Sequence, residues 1–432
     1  MIGSIFTIIG VSLLALLAVP IETQLRLSGI FPSRAAEEAR VFGGQPSAAQ
    51  CRTIHALGSS LSCESFAVND AFGIAYLACE TVASRRAYNP ALFRMPYEYS
   101  GYGAVYALHL KTEKLVKLSF SDLNANVSIL GIDFTLKDAN TALISIINHH
   151  PAGARIDTFF HSKNSPSLSF LRSFSSPALL NWPNSIAIAD SLGSFYVTSG
   201  LTNKDRFSRT AEQIFPLGQG SVVYYNAKSN TAHIVANKDL NFPNGIAISP
   251  DGRYIYVSTT NTGAIHIFRR IHDETTNRNF LVSPNEADQI EIQNDENEND
   301  TTEQQHSNFG RLKFVEKVQL DFYVDNLSVN RKTGAIYVAG FANGLHAFLA
   351  MSDHTGTDTA TTLVAKITNN TGEAIFYGHK FKKDLVFVGK DQIFSMISQA
   401  AVVDVSGNEK TIFGSLFPSS KGGAAVVCDW SF

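Results

Sequence analysis

The stretch DFYVDNLSVNRKTGAIYVAG, residues 321–340, sets a carboxylate and an amide side by side, Asp325 and Asn326, at the head of an alternating apolar segment. Glu64, Asn184 and Asn244 hold the same place in three other segments, ESFAV, NSIAI and NGIAI. Asn ahead of a strand is also an ordinary turn residue, so any single copy reads as a turn. Recurrence of oxygen donors at one register is what suggests chemistry. Two carboxylates and three amide oxygens are hard donors, suited to a Ca²⁺ that takes about six to eight oxygens, and no thiolate or imidazole among them favours zinc. The other candidate is His149 in INHHP, which taken alone reads as a packed histidine.

The elements that must bring these residues together repeat along the chain. ESFAVNDAFGIAYLAC from Glu64, LGIDFTLKDANTALISII from Leu130, NSIAIADSLGSFYVTSG from Asn184, NGIAISPDGRYIYVSTT from Asn244 and NLSVNRKTGAIYVAG from Asn326 share one design. Each has an entry residue, a short period-two strand, a turn rich in Asp, Gly, Asn and Lys, and a second strand ending in small residues, which is a hairpin signature. Further strand pairs, such as GAVYALHLKTEKLVKL and GSVVYYNAKSNTAHIVA, lie between the copies, and AIFYGHKFKKDLVFVGK from Ala374 reads as a weaker sixth copy. About four strands per repeat, repeated radially, predict an all-β fold, a six-bladed β-propeller over residues 51–432. In that architecture the innermost strands start near one end of the central channel. The entry residues would therefore converge although they are far apart in sequence.

Composition narrows the partners. Charged residues make up 17% of the 432, the net charge is −3 and no Lys/Arg cluster is present, which argues against nucleic acid. Residues 2–19 are uncharged and end at Pro20, about long enough for a hydrophobic anchor helix or uncleaved signal over residues 1–20. That predicts entry into the secretory pathway and a membrane-anchored or secreted protein. Residues 21–50 read as a linker with an N-terminal helix. Four cysteines, Cys51, Cys63, Cys79 and Cys428, suit an oxidising compartment, and their pairing is open at this stage. Asn126, Asn299 and Asn369 head glycosylation sequons, as does Asn326. Residues 283–310 carry eight acids and no Lys or Arg, a composition that cannot bury a core and predicts a disordered loop insertion.

CESFAV, INHHP, PNSIAI, FPNGIAISPDGRYIYV, VDNLSVNRKTGAIYV and GFANGLHAF, with the flanking Cys51 and Cys428, together resemble the serum paraoxonase/arylesterase family, in order from about residue 20 to the C-terminus. The resemblance implies a six-bladed propeller with two calcium ions in its channel, hydrolysing lactones, aryl esters and some phosphotriesters. It assigns Glu64, Asn184, Asn244, Asp325 and Asn326 to the catalytic calcium. It also implies a Cys51–Cys428 disulfide closing the ring.

Departures from the family pattern are specific. The two aspartates expected beside the second calcium fall at Ser65 and Ser185, leaving the backbone carbonyl of Ile132 as the matching contact, so one tightly held ion is expected. His149 matches one member of a proposed histidine dyad, whereas the other falls at Leu130 and a supporting histidine falls at Phe341. Leu130 and Phe341 would then be apolar groups of the substrate pocket. The reading is a calcium-dependent hydrolase of small ester or lactone substrates. The alternatives are a calcium-stabilised binding propeller without catalysis, or a propeller enzyme like gluconolactonase or strictosidine synthase.

Overall fold

The computed structural model describes residues 25–29, 33–42, 48–56, 60–87, 102–121, 127–150, 152–201, 218–271, 310–353, 357–370, 380–419 and 421–432, with the isolated positions 22, 208, 212 and 355. The hydrophobic segment 2–19, the acidic segment 283–310 up to residue 309, Asn126 and Asn299 lie outside them. Among the described residues no helix is long and apolar enough to cross a membrane.

Strands dominate because apolar residues alternate with polar or small ones between turn residues. Helix α1 (Arg34–Val41) and strand β1 (Cys51–Ile54) precede the first blade. The first blade is β2 (Leu61–Asn69), β3 (Ile74–Thr81), β4 (Ala104–His109) and β5 (Leu115–Ser121), with helix α2 (Val82–Ala87) between its second and third strands. The second is β6 (Ile129–Leu136), β7 (Thr141–His150), β8 (Gly153–Ser162) and β9 (Ser167–Ser175). The third is β10 (Pro183–Ile188), β11 (Phe195–Ser199), β12 (Ser221–Asn226) and β13 (Thr231–Ala236). The fourth is β14 (Pro243–Ile248), β15 (Tyr254–Thr259), β16 (Ala264–Arg270) and β17 (Leu312–Gln319). In the fifth, β18 (Tyr323–Val329) and β19 (Ile336–Phe341) are followed by helix α3 (Gly344–Ser352), then β20 (Thr362–Asn369) and β21 (Phe381–Gly389). The sixth is β22 (Ile397–Val405), β23 (Asn408–Ser415) and β24 (Ala425–Cys428), completed by β1 as its fourth strand.

The sixth repeat is therefore not where the sequence suggested. The strand-like half of AIFYGHKFKKDLVFVGK is β21, the outer strand of the fifth blade, paired with β20. The sixth inner strand starts at Ile397, and it carries Ser398 where four of the other copies carry an acid or amide.

Each seam between neighbouring blades is filled by its own apolar cluster. Ala35 and Ala39 of α1 extend the cluster between the fourth and fifth blades, on a helix whose first turn is capped by Ser33 accepting from the Ala36 N–H at 3.0 Å. Burial at these seams is the main force that makes the blades cohere.

Closure relies on β1, which comes from the opposite end of the chain from its partner β24. Cys51 pairs in register with Cys428, and the two form a disulfide. Cys63 and Cys79 form the second disulfide, across β2 and β3. Outside the ring closure, Arg52 bonds Glu113 at 2.5 Å and Asp429, and Lys410 bonds Glu113 at 2.8 Å. These charges are partly exposed, so the covalent link dominates. Cys51→Ser is expected to lower unfolding free energy by about 2–5 kcal/mol in a denaturant titration, because the bond closes a loop of nearly the whole chain. A loss below about 0.5 kcal/mol would show that the pairing of β1 with β24 suffices alone.

Candidate metal centre in the propeller channel

All six inner strands are irregular at one place. Register shifts fall between Cys63 and Ser65, Ile129 and Ile132, Pro183 and Ile186, Pro243 and Ile246, Val324 and Leu327, and Ile397 and Gln399. The residues caught in these bulges are Glu64, Leu130 with Gly131, Asn184 with Ser185, Asn244 with Gly245, Asp325 with Asn326, and Ser398. A bulge re-aims side chains, and here six of them place the predicted donors at equivalent positions around one axis.

Close approach at the axis needs small residues. A Cβ on Gly131 would sit 2.7 Å from the Asn184 carbonyl oxygen, and one on Gly245 would sit 2.7 Å from the Asn326 Cα. Hydroxyls then lock one blade to the next. Thr198 Oγ1 donates to the Asn244 carbonyl at 2.6 Å, Ser258 Oγ to the Asp325 carbonyl at 2.6 Å and Ser398 Oγ to the Glu64 carbonyl at 2.7 Å. Ser258 Oγ also accepts from the Gly245 N–H at 2.7 Å. Ser258→Ala leaves that N–H and the Asp325 carbonyl without this partner, and a destabilisation of about 1–3 kcal/mol is expected in chemical denaturation. A change within about 0.5 kcal/mol would mean that the seam relaxes without it.

The backbone is satisfied in this way, but the side-chain oxygens are not. Glu64 Oε2, Asn184 Oδ1, Asn244 Oδ1, Asp325 Oδ1 and Asn326 Oδ1 are all buried without a hydrogen-bond partner. Asn244 uses its amide nitrogen toward Thr260 Oγ1 at 3.2 Å, leaving the oxygen side bare. Buried polar atoms are normally paired, and five orphaned oxygens on one ring are far outside that expectation. Burial pushes Glu64 up to about 7, with Arg85 opposing. Burial first, and then the Glu64 charge, push Asp325 well above the ordinary carboxylate range. Two buried carboxylates that repel each other, with three amide oxygens facing no donor, are what a hard divalent cation compensates. The residues present therefore fit Ca²⁺. Among the described residues no group of three or more His, Cys, Asp or Glu side chains is placed to hold a metal.

The other predicted residues are placed as follows. Ser65, just after the first bulge, and Ser185, within the third, are buried and bring no carboxylate, and the Ile132 side chain packs into the seam between the first and second blades. Leu130 occupies the second blade's ring position and packs on the cluster containing Ile147, Ile156 and Ile186. Phe341 is buried with Ala347, Ala350, Met396 and Phe417 beside α3, so it is a packed wall. Asn326 is buried, which denies its sequon a sugar, whereas Asn369 is exposed.

His149 is buried at the end of β7, its N–H donating to the Ser128 carbonyl at 2.8 Å and its ring stacked on Trp182 at 6.4 Å. Its Nε2 has no partner. Burial and the nearby Arg85 charge lower its pKa to about 4, so the imidazole is neutral.

Sequence reasoning missed Arg85, Gln399 and the bridging hydroxyls. Gln399 Oε1 accepts from the Phe66 N–H at 2.8 Å and its Nε2 donates to the Phe66 carbonyl at 3.0 Å, stapling the sixth blade to the first just below Glu64. The departure of ISQAAV from the donor pattern was the one available signal for it.

Comparison with known proteins gives a consistent result. A family model described as Arylesterase matches residues 109–281, a span that holds Leu130, His149, Asn184 and Asn244 but not Glu64, Asp325 or Asn326. Serum paraoxonase/arylesterase 1 of Mus musculus is 24% identical over 218 residues, 50% of this chain and 50% of that protein. Serum paraoxonase/arylesterase 2 of Rattus norvegicus is 25% identical over 256 residues, 58% of this chain and 61% of that protein. The chain thus spans about half the length of the curated relatives it matches. A gluconolactonase from Xanthomonas campestris superposes with a TM-score of 0.45 at 15% identity, covering 92% of this chain and 93% of that one.

Proposed function

The chain is a relative of the serum paraoxonase/arylesterase family, and from that premise we propose that it is a calcium-dependent hydrolase of small esters and lactones. The observation that carries the reading is the ring of five buried, unpartnered oxygens on Glu64, Asn184, Asn244, Asp325 and Asn326. These residues would hold one Ca²⁺, which would supply a Lewis acid for the carbonyl or phosphoryl oxygen of the substrate. The second ion of the family is absent or weak, because Ser65 and Ser185 supply no charge and the Ile132 carbonyl remains as the matching contact.

The chain's own groups do the rest. His149 presents a neutral Nε2 with no competing partner, and takes the proton of the attacking water. Trp182, stacked on its ring, and Leu130 at the second blade's ring position supply apolar surface on this side, with Phe341 in the fifth blade, favouring hydrophobic acyl or aryl groups. Two disulfides support folding in an oxidising compartment, in keeping with a secreted or membrane-anchored protein. Asn369 is a usable glycosylation site.

A second reading rests on Leu130. With an apolar residue at the ring position beside His149, the channel could hold calcium as a structural ion and bind small molecules without turnover. One panel separates the two: phenyl acetate, a phosphotriester and several lactones, assayed with calcium and with chelator. Calcium-dependent turnover of any of them supports the hydrolase. Calcium binding by calorimetry with no turnover across the panel favours the scaffold, and no calcium binding at all removes both.

A further inference from the structure

Arg85 belongs to none of the roles above. It sits on α2, which starts where β3 leaves the first blade, with Thr81 Oγ1 accepting from the Ser84 N–H at 3.1 Å. The next residue, Arg86, faces the other way, donating to the Asp353 carbonyl after α3 and lying over the Phe417 ring at 5.7 Å. That contact ties α2 to α3 across one end of the propeller and fixes the helix. Arg85 is 3% exposed, and its Nη2 donates to the Ile129 carbonyl at 2.7 Å, at the residue before Leu130.

This guanidinium is under-used. Its Nε is buried with no acceptor, and among the described residues it forms no ion pair. A cation so deeply buried is costly unless it is paired. Its charge acts on the ring carboxylate Glu64, a proposed metal ligand, and on His149. Glu80, the other buried carboxylate near Glu64, accepts from Ser84 Oγ at 3.4 Å. A planar fork held by one bond beside the reactive centre, with a donor left over, is suited to a carboxylate.

We propose that Arg85, fixed by the Ile129 carbonyl next to the second blade's ring position, is a specificity-determining residue that makes the channel select substrates carrying a carboxylate. This rests on the ring being a hydrolytic centre, but the binding it describes can be measured without turnover. Arg85 pairs with the substrate's anionic group away from the scissile bond and so sets which esters are held productively.

The test uses the full-length, calcium-loaded chain. Benzoate and benzamide are compared as non-reacting probes by calorimetry, and 4-acetoxybenzoate and phenyl acetate as substrates. Benzoate is expected to bind roughly tenfold or more tighter than benzamide, a preference lost in Arg85→Gln and partly kept in Arg85→Lys. Arg85→Gln should raise KM for 4-acetoxybenzoate relative to KM for phenyl acetate by a similar factor, a ratio in which any change common to both esters cancels. Equal binding of benzoate and benzamide by the unmodified chain overturns the proposal, whatever the variants do. So does an Arg85→Gln variant that slows both esters equally and loses calcium affinity, since the arginine is then a structural counter-charge. If neither ester is turned over while the benzoate preference and its loss in the variant stand, the hydrolase reading fails and the assignment of Arg85 survives.

Discussion

Asp325→Asn is expected to abolish tight calcium binding and, in the same variant, to stabilise the chelator-treated chain. Both effects come from one feature of the ring. Asp325 and Glu64 are 4% and 3% exposed, and they are the two formal charges among the five donors. Removing one from a buried, charge-compensated site costs roughly 3–5 kcal/mol of interaction, or about 10²–10⁴-fold in affinity. Without calcium the same carboxylate is a liability, because burial and Glu64 disfavour its ionised form. The sign follows from linkage. An acid whose folded pKa is raised contributes stability below its unfolded pKa and loses it as pH rises through the folded value. For Glu64 that loss runs from its ordinary value of 4.5 up to about 7, and Asp325 adds to it in the same direction. Calcium-free protein should therefore gain stability as pH falls from about 8 toward 5, and Asp325→Asn should flatten that gain. Thermal melts over this range, with and without calcium, separate a metal ring from an ordinary pair of buried acids. If the variant keeps its calorimetric calcium binding, the cation lies elsewhere and the orphaned oxygens need another explanation.

Much of this site was legible in the sequence because hairpins have a simple period. Glu64, Asn184, Asn244 and Asp325–Asn326 could be aligned by eye, since each stands just ahead of an alternating strand and a Gly- or Asn-bearing turn. The bulges were not legible. They are properties of pairing between two strands, visible as register shifts at all six inner positions. The sixth blade was misplaced for a related reason. KDLVFVGK has the alternation of a hairpin's second strand, yet β21 is an outer strand, and outer strands alternate in the same way when one face is covered. Ser398 breaks the donor pattern at the entry position of the true inner strand, and the amide of Gln399 falls one residue later.

Arg85 shows a different limit. Nothing in VASRRAY says which of two adjacent arginines turns inward to the Ile129 carbonyl and which reaches Asp353. Those contacts join residues far apart in sequence and are fixed by how α2 leaves the blade. The disulfides lie between these cases. Cysteine positions admitted three pairings, and the choice follows from Cys51 facing Cys428 and Cys63 facing Cys79 across paired strands.

His149→Gln should lower kcat by about 10²-fold while leaving calcium affinity unchanged, at the modest end of what a general base contributes. The imidazole has the placement of a base but not the support of one. Its Nε2 is unpartnered, while the neighbouring ring position, which could have relayed the proton, is Leu130. Burial and Arg85 hold its pKa near 4, so it is neutral and able to accept a proton throughout the physiological range, but it is a weak acceptor. The rate should consequently show no inflection near the unperturbed imidazole value of about 6.5, and its acid limb should fall nearer 4. A weak base assists least where water attack is hardest, so aryl esters with good leaving groups should be hydrolysed faster than lactones. Leu130→His offers the converse test. If the added imidazole reaches His149, it stabilises the protonated form, and the acid limb should move upward as kcat rises. An unchanged kcat in His149→Gln would show that this histidine is only packed against Trp182. Water activation would then have to come from the calcium ring alone, and Leu130→His would have nothing to restore.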